Sequence, residues 1–255
     1  MDLPRLIGMV HLGPLPGSPG FDGDLDAIIQ AAVADAETIA EAGFDGVMVE
    51  NFGDAPFFAD DAPKVTIASI TSAVNAIYEA SRLPTGVNVL RNDGLGALAV
   101  AAATPASFIR INVLSGTMYT DQGPIIGNAA AVSRMRAAVC PDVRIMADVF
   151  VKHATPPSGL TITDATNDLI ERAGADAVVV SGAATGAAAD MEQLTTVESL
   201  SHLPTFLGSG VSVENVAAML GTAQGAIVGT AIKVDGVSTN PVDAASAAAF
   251  VAAAR

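Results

Sequence analysis

Arg172-Ala173-Gly174-Ala175-Asp176-Ala177-Val178-Val179-Val180-Ser181-Gly182 is the stretch whose pattern decides the fold. A glycine stops a helical pattern, a short polar turn follows, and a valine-rich run has no polar position on either face. A small-residue loop then leaves its C-terminal end. Strands apolar on both faces belong to parallel sheets covered by helices. The same grammar of helix stop and buried strand occurs at Glu41-Ala42-Gly43-Phe44-Asp45-Gly46-Val47-Met48-Val49.

Working outward, eight such strands are expected: Leu6 to His11, Gly46 to Glu50, Gly86 to Leu90, Phe108 to Val113, Arg144 to Val151, Ala177 to Ser181, Thr205 to Leu207 and Ala226 to Val228. Apolar residues at helical spacing lie between them, as at Leu25, Ile28, Ile29, Ala32, Ala36 and Ile39. Eight β–α alternations predict an α/β fold, a single (β/α)8 TIM-type barrel domain spanning residues 1–255. An open doubly wound sheet is the alternative, and the even spacing of the eight units argues against it. Helix-to-strand turns are short, whereas the strand-to-helix loops 12–23, 51–64, 114–127 and 152–162 are long. Long loops in a compact domain are usually functional, and all of these emerge at strand C-terminal ends, where barrel enzymes place their sites.

Composition excludes several function classes. The chain carries 27 acidic against 12 basic residues, a net charge of -15, so nucleic acid and anionic lipid are not expected partners. One cysteine, Cys140, leaves no intrachain disulfide or multi-thiolate zinc site. Neither a secretory leader nor a membrane-spanning run is read, and the expected location is the cytoplasm. Abundant aspartate and alanine with only three lysines suggest a halophilic source.

Polar residues at the ends of otherwise apolar strands are the candidates for chemistry. His11 closes the first strand, Glu50 the second, and Asn88, Arg91, Asn92 and Asp93 run out of the third. Arg110 and Asn112 share parity with Phe108, and Asp148 and Lys152 share parity on the fifth strand, followed by His153. Arg110 inside a barrel requires an anion, either Glu50 or Asp148 in an internal ion pair, or a ligand. The last three strands end in small residues, including Gly182, then Gly208, Ser209 and Gly210, then Gly229 and Thr230. Such loops bring backbone N–H groups close to an anion, which favours a phosphate cradle. Dinucleotide, Walker-type, His-Glu-x-x-His and Gly-x-Ser-x-Gly motifs are absent. No cofactor is expected; His11, Glu50, Asp121, Asp148 and His153 are the side chains from which a divalent-metal site would have to be built.

Several segments resemble the BtpA/SgcQ family: Ile7-Gly8-Met9-Val10-His11-Leu12, Val49-Glu50-Asn51-Phe52-Gly53-Asp54-Ala55-Pro56-Phe57, Gly86-Val87-Asn88-Val89-Leu90-Arg91-Asn92-Asp93, Thr120-Asp121-Gln122-Gly123 and Ala147-Asp148-Val149-Phe150-Val151-Lys152-His153-Ala154. The resemblance extends to the three glycine loops and covers essentially the whole chain. It implies a barrel akin to ribulose-phosphate-binding barrels and site residues at Glu50, Asn88, Arg91, Asn92, Asp93, Asp148, Lys152 and His153. A cyanobacterial member is associated with photosystem I biogenesis, and an enteric relative sits among sugar-uptake genes.

Two functions are therefore expected to compete. One is an enzyme of isomerase, epimerase or lyase type acting on a phosphorylated sugar or nucleotide-derived molecule. Its catalytic residues would be Asp148 and Lys152, with Glu50 and His11 as alternative acid or base, and Asn88, Arg91, Asn92, Asp93, Arg110, Asn112 and His153 would bind substrate. The other is a non-catalytic assembly or regulatory factor. Besides the phosphorylated ligand, the partner considered is a second copy of the chain.

Overall fold

A computed structural model describes residues 2–182 and 191–255. Strands and helices alternate as β1 (Leu6–His11), α1 (Leu25–Ala42), β2 (Gly46–Glu50), α2 (Lys64–Ser81), β3 (Thr85–Asn88), α3 (Gly94–Ala102) and β4 (Phe108–Ile111). A hairpin of β5 (Thr117–Thr120) and β6 (Gly123–Ile126) interrupts the alternation. It then resumes with α4 (Ala129–Val139), β7 (Arg144–Asp148), α5 (Ile162–Asp168), β8 (Ala177–Val180), α6 (Met191–Leu200), β9 (Thr205–Leu207), α7 (Val216–Met219), β10 (Gly225–Val228) and α8 (Ala244–Ala254). Eight parallel strands close into a barrel in the order β1-β2-β3-β4-β7-β8-β9-β10, which is the expected (β/α)8 architecture.

Strand parity divides the apolar residues into two cores. Ile7, Met9, Met48, Phe108, Met146, Val179, Phe206 and Ile227 point inward and plug the barrel. Their neighbours Val47, Val49, Val87, Ile109, Ile145, Val178 and Val180 point outward against the helices. Two glycines admit the large rings of the plug. A Cβ on Gly86 would stand 2.6 Å from Phe108 Cζ, and one on Gly225 would stand 2.8 Å from Phe206 Cδ1. The helices begin and end on local signals: Asp24 caps α1 by accepting from the Ala27 N–H, and Gly43, at φ 93°, ends it in the left-handed region.

Several boundaries differ from expectation. β4 and β7 stop at Ile111 and Asp148, three or fewer residues short for each, because the chain leaves the ladder to form the loops of the mouth. α5 gives way to a π-turn over Leu169–Ala173, and α7 is a single turn. The segment 114–127, expected as loop, contains the hairpin. Its strands are four residues each, and one carries Pro124, so the local signal is faint. Tertiary contact builds it: Met118 and Ile125 pack on Val113 and Val151, and Tyr119 exchanges two backbone hydrogen bonds with Thr155.

Candidate functional site

Above the apolar plug, the same inward parity lays down a polar layer. Glu50 is in register with His11 on one side and Asn88 on the other, and Asn88 with Arg110. Asp148 lies farther round the barrel, in register with Val179. Glu50, Asn88, Arg110 and Asp148 are all buried. Buried charges of this kind must be paired or directed at a ligand.

Arg110 and Asp148 are paired. Arg110 Nε and Nη2 donate to the two carboxylate oxygens of Asp148 at 2.9 and 3.0 Å. Asn112 Nδ2 donates to the same carboxylate at 2.9 Å, and Asn88 Nδ2 donates to Asn112 Oδ1 at 3.2 Å. Arg110 Nη2 also reaches Ser181 Oγ at 3.3 Å. Burial opposes the guanidinium charge, but Asp148 beside it prevails and holds Arg110 above its ordinary range. Of the two internal anions considered for Arg110, Asp148 is the one that binds it. Both Asp148 oxygens accept hydrogen bonds, so this carboxylate serves as an anchor. Gly208 belongs to the same unit, since a Cβ there would stand 2.9 Å from Arg110 Nη2.

A cavity of about 340 Å³ opens at the C-terminal mouth. His11, Glu50, Phe52, Arg110 and Lys152 line one part of it, and Gly208, Ser209, Gly210, Gly229 and Thr230 another. The Lys152 ammonium makes no hydrogen bond or ion pair among the described residues; burial lowers its pKa, and Glu50 partly offsets this. The carboxylate of Glu50 likewise accepts no hydrogen bond among the described residues and lies 3.7 Å from His11 Nε2. His11 Nδ1 is 2.8 Å from the Ser238 carbonyl oxygen. A carbonyl only accepts, so Nδ1 carries the proton and the neutral ring presents its Nε2 lone pair to the cavity side. Burial lowers the His11 pKa, Glu50 raises it in part, and the ring stacks on Phe52 with centroids 4.6 Å apart.

The small-residue loops are stitched together around the cavity. Ser209 Oγ accepts from the Gly182 N–H at 3.0 Å, so Gly182 supports the loop and directs its own N–H at Ser209. Asn215 donates to the Gly210 carbonyl at 3.0 Å and accepts from the Ser212 N–H at 2.8 Å, holding Gly210 at φ 74°. The N–H groups of Ser209, Gly210, Val211 and Thr230 donate no hydrogen bond within the described residues. The rest of the small-residue loop expected after Gly182 lies outside the described residues.

Other expected site residues have been given different work. Asn92 clamps the Val113 backbone through both its amide atoms, at 2.9 and 2.7 Å. Asp93 caps α3 and accepts from the Ala62 N–H. Both line a larger cleft of about 640 Å³ outside the barrel, between α3, α4 and the 60–64 loop. Their side chains are thus tied to backbone, and neither lines the mouth cavity. Asn112 and Asn88 sit in the network under Arg110. Arg91 donates to the Lys152 carbonyl at 2.7 Å, and His153 is exposed beside Lys152 and Arg91. Lys233, which follows the Gly229-Thr230 loop, donates to the buried Asp35 of α1 at 2.6 Å and does not line the mouth cavity. Asp121 is on the hairpin turn, and no cluster of three metal-ligating side chains occurs among the described residues. Phe52, Ser181, Asn215 and Ser238 complete the site without having been anticipated. Ser238 falls in the 233–241 segment, whose polar, glycine-containing sequence resembles any surface loop.

The family model described as the BtpA family matches residues 4–255. A Thermococcus kodakarensis protein is 50% identical over 246 residues, 95% of this chain and 92% of its own. The photosystem I biogenesis protein BtpA of Synechocystis sp. is 41% identical over 249 residues, 97% of this chain and 87% of its own. Among solved structures, (S)-3-O-geranylgeranylglyceryl phosphate synthase of Thermoplasma acidophilum, in complex with sn-glycerol-1-phosphate, superposes with a TM-score of 0.60 at 15% identity, covering 99% of this chain and 93% of that one. At that identity the likeness is one of fold. Among the described residues, no helix is long and apolar enough to cross a membrane.

Proposed function

The chain belongs to the BtpA family, and from that premise and the geometry of the mouth we propose that it is an enzyme acting on a small phosphorylated substrate. The observation that carries the reading is the division of one cavity between uncommitted backbone N–H groups and uncommitted titratable side chains. Ser209, Gly210, Val211 and Thr230 supply donors for a phosphate without the obstruction of large side chains. Glu50 and His11 supply an acid–base pair on the facing wall, with the Lys152 side chain beside them. The phosphorylated ligand in the Thermoplasma barrel is a chemical precedent for the substrate class.

In this reading Glu50 takes a proton from the carbon next to a substrate carbonyl. The Arg110 guanidinium in the cavity wall stabilises the oxygen on which negative charge develops, and the His11 Nε2 lone pair accepts a proton moving between neighbouring oxygens. Asp148 keeps Arg110 charged and oriented, a positioning role in place of the catalytic one first expected of it. These parts suit isomerase, epimerase or lyase chemistry on a sugar phosphate in the cytoplasm.

Thermal unfolding in the presence of inorganic phosphate, ribose phosphate, pentulose phosphate and unphosphorylated ribose tests the reading. A phosphorylated ligand at about 100 times its dissociation constant should add about 2.7 kcal/mol of stability, and ribose none. No stabilisation by any phosphorylated compound overturns it. That result, with Glu50→Gln and Lys152→Met leaving cellular function intact, would favour a non-catalytic role like the biogenesis role named for the Synechocystis relative.

A further inference from the structure

We infer that the substrate carries two anionic groups, and that Lys152, backed by Arg91, receives the one distal to the phosphate. This deepens the phosphosugar reading and rests on it. Arg91, Arg110, Lys152 and Lys233 end or follow barrel strands on the C-terminal side, and they fall into two classes. Arg110 has Asp148 and Lys233 has Asp35, each within hydrogen-bond distance. Arg91 and Lys152 have no ion-pair partner within the described residues.

Arg91 is only 6% exposed, in a chain with more than two acidic residues for every basic one. Its guanidinium bonds the neutral carbonyl of Lys152. A buried cation is costly unless an anion meets it, and this protein has supplied carboxylates to its other buried cations. Glu50 and Asp148 influence both groups at longer range, and Asp148 is already taken by Arg110. The anion lacking from Arg91 and Lys152 is therefore assigned to the ligand.

Position agrees with charge. In the closed barrel β3, which leads into Arg91, stands diametrically opposite β9, which leads into Ser209 and Gly210. Lys152 lines the same cavity as those loops, from the β7 side. A ligand anchored by phosphate on the glycine loops and reaching across the mouth would bring its other end to Lys152. The second group is phosphate or carboxylate, since either matches an ammonium reinforced by a guanidinium.

Binding measured calorimetrically for glycerol phosphate, phosphoglycerate, ribulose monophosphate and ribulose bisphosphate tests this. One of the doubly anionic compounds should bind about tenfold or more tightly than its singly phosphorylated counterpart. Phosphoglycerate and the bisphosphate distinguish carboxylate from phosphate. Lys152→Met should remove that advantage while leaving glycerol phosphate binding within about twofold. Arg91→Met should reduce it too, and Lys152→Met suffices if the Arg91 variant does not fold. Equal affinities for the singly and doubly charged members of each pair overturn the inference alone, with phosphate recognition standing. Failure of every phosphorylated compound to bind overturns both readings.

Discussion

Arg110 on β4 reaches Asp148 on β7 through two parallel hydrogen bonds, 2.9 and 3.0 Å long, with both side chains withdrawn from solvent. The pair separates the apolar plug from the mouth cavity and gives the cavity floor a fixed guanidinium. Ion pairs in this setting contribute less to stability than their geometry suggests, because each charge has lost its hydration; breaking one is another matter.

Asp148→Ala should therefore destabilise the fold by about 3–5 kcal/mol, since Arg110 would remain buried without its anion. Replacing both partners, as in Arg110→Met with Asp148→Leu, should cost clearly less than the two single changes added together. Urea unfolding of the four members of this cycle checks the claim, and simple additivity would sink it.

The same logic applies beyond the end of β10, where Lys233 meets Asp35 of α1 and Asp35 also accepts from the Val242 N–H at 2.7 Å. Asp35→Ala should lower stability by about 3–5 kcal/mol and loosen the 233–242 segment. Hydrogen exchange should then show faster exchange at Val242 and Ser238 while β3 and β4 amides are unaffected.

Gly208→Ala should disturb the Arg110 shelf from above, because the new Cβ would crowd Arg110 Nη2 and stand 2.6 Å from Val179 Cγ1. A loss of about 1–3 kcal/mol is expected in thermal or urea unfolding. Gly229→Ala, whose Cβ would find its nearest atom, His11 Cε1, at 3.3 Å, should cost less.

Stability should also respond to pH through His11. Burial sets its folded pKa below the ordinary 6.5, with Glu50 opposing. Between the folded value and 6.5 the unfolded chain binds more protons, so this group makes stability rise with pH and fall as the solution is acidified. His11→Asn should flatten the stability profile between about pH 7.5 and about pH 5.5 relative to the parent. An unchanged slope would contradict the assignment of a neutral, buried imidazole.

Salt should stabilise a chain of net charge -15. Exposed aspartates at 22, 24, 26, 60 and 61 repel one another at low ionic strength, and screening relieves the repulsion. Melting temperature should climb between about 0.1 M and about 1 M sodium chloride. A flat response would remove the case for a halophilic source.

The barrel was legible in the primary structure because its cause is local. Runs such as Val178-Val179-Val180, glycine stops such as Gly43 and Gly174, and short return turns recur along the chain, and parallel strands buried on both faces have few ways to be covered. Parity also placed His11, Glu50, Asn88, Arg110 and Asp148 on the inner face, since a strand side chain has only two directions to point. What parity leaves open is which of those groups meet. Arg110 binding Asp148, Lys233 turning to Asp35, and Asn92 and Asp93 holding backbone are contacts between residues 3 to 198 positions apart. Only closure of the barrel brings most of these partners within reach, and only then does buried Arg91, with Lys152 at the mouth, stand without a carboxylate partner among the described residues. Sequence alone determined the scaffold and the candidate set; the tertiary structure decided their pairing, because charge is satisfied by distance in space.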